Sequence, residues 1–146
     1  MSDLRDLYQE VILDHNRAPR NFGRLENANR ESEGHNPLCG DRVSVFLHVE
    51  DDRIEGIAFQ GSGCAISTAS ASLMTEALKG RTVEEARRLF QGFHDLLTTG
   101  SNGDDLGKLA VFAGVREYPI RIKCATLAWH AVQAALEQQD HPVSTE

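Results

Sequence analysis

RVSVFLHVEDDRIEGIAFQGSGC, residues 42–64, decides how this chain folds. Val43, Val45, Leu47 and Val49 alternate with Arg42, Ser44, Phe46 and His48, the period of a strand with one mainly apolar face. Glu50-Asp51-Asp52-Arg53 reads as a solvated polar turn, and Ile54 to Phe59 as the return strand of an antiparallel hairpin. Gly61-Ser62-Gly63 breaks that strand. Cys64 then opens a segment, Ala65 to Leu78, whose Leu73, Met74, Ala77 and Leu78 recur at helical spacing, with Gly80 as a stop.

Helical patterns lie on both sides. Leu4, Leu7, Tyr8, Val11 and Ile12 form one apolar face, which Pro19 and Gly23 end. Residues 24–38 are polar and read as an extended or loop connection. Thr82-Val83-Glu84-Glu85 fits a capping box, followed by Ala86, Leu89, Phe90 and Phe93. Thr98 to Asp105 reads as a turn region, and Leu106 to Phe112 as a short helix. Pro119 precedes a last helix carrying Ile122, Leu127, Ala128, Ala131, Val132, Ala135 and Leu136. The tail from about Asp140 has no core-forming residues and is expected to fray. Strands first and helices later predict an α+β domain spanning 1–146, a small antiparallel sheet packed against several helices.

The 146 residues carry 15 Lys plus Arg against 22 Asp plus Glu, a formal net charge of −7. That balance argues against a nucleic-acid backbone as partner. No apolar run of about 18 residues predicts a membrane span. Met1 to Asp6 is acidic and mixed, unlike a signal peptide, so a cytoplasmic location is expected. At this length a chain buries about 70% of its unfolded surface, so neither disulfide nor metal is needed for folding.

Three cysteines, Cys39, Cys64 and Cys124, carry the chemistry. An odd count argues against a disulfide framework, and the lack of a CxxC pair against common zinc-finger and thioredoxin patterns. In an extended Cys39-Gly40-Asp41 segment, thiolate and carboxylate point the same way. At the start of a helix Cys64 meets unpaired backbone N–H groups, which favour thiolate. Arg121 and Lys123 supply positive charge beside Cys124. Three thiolates and one carboxylate make a closed tetrahedral set for Zn²⁺, or hold iron or an iron–sulfur cluster instead. Three buried, inert thiols fit the residues alone about as well.

Four segments resemble the U-type iron–sulfur cluster assembly proteins, the SufU/IscU family. They are Leu7-Tyr8-Gln9-Glu10-Val11-Ile12-Leu13-Asp14-His15 with Pro19-Arg20-Asn21-Phe22-Gly23, Asn36-Pro37-Leu38-Cys39-Gly40-Asp41, Gly61 through Met74, and Arg121-Ile122-Lys123-Cys124-Ala125-Thr126-Leu127-Ala128-Trp129. Scaffold-type members carry His directly before the third cysteine; here Lys123 stands there, and the stretch between the second and third cysteines is long, as in the SufU branch. Asn16 falls where many relatives have Tyr. The resemblance implies a SufE/IscU-like fold with Cys39, Asp41, Cys64 and Cys124 as zinc ligands. It implies a sulfurtransferase that accepts persulfide sulfur from a SUF-type cysteine desulfurase and passes it to downstream iron–sulfur assembly proteins. Cys124 or Cys39 would be the acceptor, with the weight on Cys124 because Arg121 and Lys123 would stabilise a sulfur anion.

The rival readings are a scaffold that builds a cluster on the same ligands and a structural zinc module without turnover. A Cys-His hydrolase using His15, His35 or His48 ranks last, since no oxyanion motif is present. Elsewhere, His15 reads as a helix C-terminal cap and His35 as an exposed loop residue. His48, His94, His130 and His141 read as surface or amphipathic-helix residues, and Trp129 as partly buried. Ser67 and Ser70 read as helix-surface packing, with hydrogen bonding near the site as the alternative. Pro19 and Arg20 form part of a docking edge only by resemblance.

Overall fold

Asp51 and Asp52 both adopt positive φ, 51° and 61°, which closes the central hairpin in two residues. Turns of that hand match the right-handed twist of the strands they join, and Asp tolerates the left-handed region better than most residues. The hairpin strands are β2 (Asp41–Glu50) and β3 (Arg53–Ser62). Val49 pairs with Ile54 but His48 with Gly56, so Glu55 is the extra residue of a β-bulge. The computed structural model describes residues 3–36, 40–99, 109, 112, 118–137 and 143–144, the backbone alone at 3–9 and 143–144.

A third strand, β1 (Arg30–Asn36), pairs antiparallel with β2 and ends with Asn36 opposite Asp41. It lies inside the polar stretch read as an extended or loop connection. Val143–Ser144, β4, adds two residues parallel to Gly34 and His35, giving the order β3-β2-β1-β4. The open side of β3 is covered in two places, by a bridge from Phe22 to Phe59 and another from Thr82 to Arg53.

Among the described residues four helices accompany the sheet: α1 (Asp3–Arg17), α2 (Ala65–Leu78), α3 (Val83–Thr98) and α4 (Pro119–Leu136). The expected α+β architecture is present. α4 packs on β1 and β2, α2 packs on β3 and α4, and α1 and α3 flank them against α2 and α4 respectively. Val43, Val45, Leu47, Ile57 and Phe59 form the core with Leu73, Met74, Leu127 and Trp129. α3 opens with the expected capping box, Thr82 Oγ1 accepting from Glu85 N–H and the Glu85 carboxylate from Thr82 N–H. Phe46, on the other face of β2, is also buried, with the Arg24 guanidinium 5.3 Å from its ring centroid. The expected helix at 106–112 lies outside the described residues apart from the buried Leu109 and Phe112.

Candidate metal centre

The sheet delivers one end of β2 to the start of α2. Asp41 opens β2, and β3, its antiparallel neighbour, ends at Ser62 beside Arg42. Two glycines permit this closeness. A Cβ at Gly61 would collide with the Arg42 carbonyl oxygen, and one at Gly63 with the Asp41 carboxylate. Cys64 follows as the N-cap of α2, and its sulfur accepts the Ser67 backbone N–H at 3.4 Å. Asp41 Oδ1 accepts the Cys64 backbone N–H at 2.8 Å, and Oδ2 lies 3.7 Å from Cys64 Sγ.

α4 brings the second sulfur. Cys124 is 2% exposed, and Asn36 Nδ2 donates to its Sγ at 3.7 Å. The ligand atoms of Asp41, Cys64 and Cys124 lie within 4.8 Å of one another. A tetrahedral zinc with Zn–S of about 2.3 Å and Zn–O of about 2.1 Å holds sulfur and oxygen about 3.6 Å apart. The 3.7 Å Asp41–Cys64 separation meets that requirement. Asp41 is 0% exposed, and among the described residues no cationic side chain forms an ion pair with it. A buried carboxylate without a counter-charge is costly, and a cation between it and two sulfurs removes that cost. Thus the donor set fits zinc, and it equally suits iron. Cys39, the fourth expected ligand, lies outside the described residues.

The helix pair behind the site is clamped by a polar relay. Ser70 Oγ donates to the Ala125 carbonyl, one residue beyond Cys124, and accepts from Trp129 Nε1 at 3.2 Å. Ser70 therefore does more than pack. Trp129 is 1% exposed, not partly buried, with its ring stacked on Phe93 at 4.8 Å. Arg121 is exposed, and its guanidinium lies 4.8 Å over the Tyr118 ring. Lys123 is half-buried.

Other expectations change. His15 is 2% exposed and faces α2, with Nδ1 2.6 Å from Ser72 Oγ and Nε2 3.6 Å from Glu76. It ties two helices together instead of capping one. Ser72 Oγ also accepts from Arg20 N–H at 2.8 Å, while the Arg20 guanidinium pairs with Asp14 at 2.6 Å. His35 is half-buried within β1, not an exposed loop residue. Asn36, part of the first cysteine motif, touches a candidate ligand. The signal available was its place at the end of a strand, three residues before Cys39.

Residues 7–125 match the family model described as the NifU-like N-terminal domain. The chain is 40% identical over 141 residues to a Bacillus subtilis protein named zinc-dependent sulfurtransferase SufU, covering 95% of each chain. It is 41% identical over 140 residues to the iron–sulfur cluster assembly scaffold protein IscU of Streptococcus pyogenes serotype M1, covering 94% of this chain and 87% of that one. A solved Fervidobacterium islandicum structure, described as a candidate cluster assembly scaffold for the SUF system, superposes with a TM-score of 0.83 at 35% identity. The match covers 89% of this chain and 96% of that one.

Proposed function

The chain belongs to the NifU-like N-terminal domain family, and on that premise we propose that it is a zinc-dependent sulfur carrier in iron–sulfur cluster assembly. The observation that carries this reading is the convergence of Asp41, Cys64 and Cys124 on one point, where the Asp41 carboxylate is buried and, among the described residues, forms no ion pair with a cationic side chain. Cys39, which lies between β1 and β2 in the sequence, is our proposed fourth ligand. The similarity to the Bacillus sulfurtransferase supports zinc and sulfur transfer as a use of these donors.

Bound zinc keeps its thiols deprotonated, and so supplies a sulfur nucleophile at neutral pH. The donor of sulfur is a persulfide on a cysteine desulfurase. A thiolate of this chain attacks the outer sulfur of that persulfide. The partner's S–S bond breaks, its electron pair leaves on the partner's thiolate, and a new S–S bond forms on this chain. The acceptor has to be reachable. Cys124 is 2% exposed and backed by Asn36, so it is better suited to stay a ligand. We therefore assign the acceptor role to Cys39 rather than Cys124. Arg121 stands one helical turn before Cys124, exposed and stacked on Tyr118, where it meets an incoming partner instead of the buried sulfur. Downstream assembly proteins then take the sulfur.

Cys39→Ala, Cys64→Ala and Cys124→Ala should each lower bound zinc and the stimulation of a desulfurase. Full stimulation by all three variants would overturn sulfur acceptance. The scaffold reading draws on the Streptococcus relative's name and uses the same ligands. It requires a stable visible chromophore after reconstitution and its transfer to an apo acceptor.

A further inference from the structure

We propose that Asn36 is a positioning residue of the metal centre, whose carboxamide N–H holds the Cys124 sulfur as the retained ligand. This rests on the metal-centre reading above and adds a residue to it. Asn36 is 0% exposed, and its Nδ2 lies 3.7 Å from Cys124 Sγ. It ends the inward-facing row of β1, after Ser32 and Gly34. That row is cut down to let α4 approach, since a Cβ at Gly34 would sit 3.1 Å from Leu127 Cδ1. At the end of such a row a leucine of similar size would bury more favourably than a carboxamide, unless the amide has polar work to do.

One partner of the amide is the Cys124 sulfur. Groups that donate to a metal-bound thiolate draw charge from it, fix its orientation and tune its bond to the metal. Three thiolates and a carboxylate around a divalent cation carry excess negative charge, so neutral N–H donors suit the site without replacing the cation. Cys64 has such a donor from the Ser67 backbone. Cys124 sits within α4, past the helix's first turn, and receives its donor from the Asn36 side chain across the sheet. In addition, Asn36 pairs in register with Asp41, whose carboxylate accepts from Cys64 N–H. Both strands that flank the connection are thereby tied to a described cysteine.

The test uses the full chain loaded with Co²⁺, with no desulfurase present, comparing wild type, Asn36→Leu and Asn36→Asp. Leu keeps the volume without a donor; Asp keeps the shape and offers an acceptor instead. Zinc affinity, read by competition with a chelator, should fall about 10–100-fold in both variants. The thiolate-to-cobalt charge-transfer band should move to lower energy in Asn36→Leu, because a sulfur without its donor gives up charge more readily. A residue that merely packs would leave the band in place. Wild-type affinity and band position in either folded variant would overturn the role of Asn36 while leaving the metal centre intact. A wild-type protein that takes up no cobalt would overturn the centre itself, and this inference with it.

Discussion

A methyl group at Gly63 would occupy the space of the Asp41 carboxylate. Gly63→Ala should therefore displace Asp41 and weaken metal binding about 10–100-fold, a loss expected when the support of a ligand is disturbed. Metal analysis after dialysis against a chelator checks this, with circular dichroism showing a retained fold. At this scale the sequence pointed to Asp41, Cys64 and Cys124 as candidate ligands because cysteine and aspartate beside strand and helix ends carry their chemistry locally. Asn36, His15 and Trp129 were harder to read. Their roles come from partners 88, 57 and 59 residues away in the chain, which no local pattern names. Cys124 shows the same limit. Its basic neighbours were visible in sequence, but its burial depends on how α4 lies on the sheet.

Two elements, α2 and α4, set the spacing of Cys64 and Cys124, and Ser70 joins them. Ser70→Ala leaves the Ala125 carbonyl and the Trp129 indole N–H without this partner, at a cost of about 1–3 kcal/mol. A lower urea midpoint, with altered emission from Trp129, the single tryptophan, is the expected outcome. A second interhelical contact responds to pH. Phe90 on α3 lies edge-on to His130 of α4 at 5.2 Å and to His94 at 6.2 Å. Burial first, and then the charge of His94, hold the His130 imidazole below its ordinary value. The unfolded chain thus binds this proton more readily, and stability falls as pH drops below about 6.5. His130→Gln should reduce the loss of urea stability between pH 7 and pH 5. β1 escaped sequence reading for a physical reason. Its inward residues are Ser32, Gly34 and Asn36, small or polar because α4 fills the space above them, so no apolar alternation is left to see. The hairpin of β2 and β3, with valine, leucine and isoleucine facing the helices and two aspartates turning the chain, announced itself.

For the whole molecule, the apolar cluster of sheet and helices forms without Asp41, Cys64 or Cys124 among its members. Chelation should therefore leave the far-ultraviolet circular dichroism near that of the loaded protein while lowering the melting temperature, since a ligand that binds only the folded state stabilises it. A structural zinc module would lose its helices instead. Among the described residues no helix is long and apolar enough to cross a membrane. The α+β class was legible because hairpin and helices alternate in period, whereas the crossing of β1 by α4 that assembles the site was not. Sulfur acceptance at the proposed site is directly measurable. The zinc-loaded protein, incubated with a cysteine desulfurase and cysteine, should gain one sulfur atom, and peptide mass mapping should place it on Cys39. No added sulfur on any cysteine, with the desulfurase active, would show that this chain is not a sulfur acceptor.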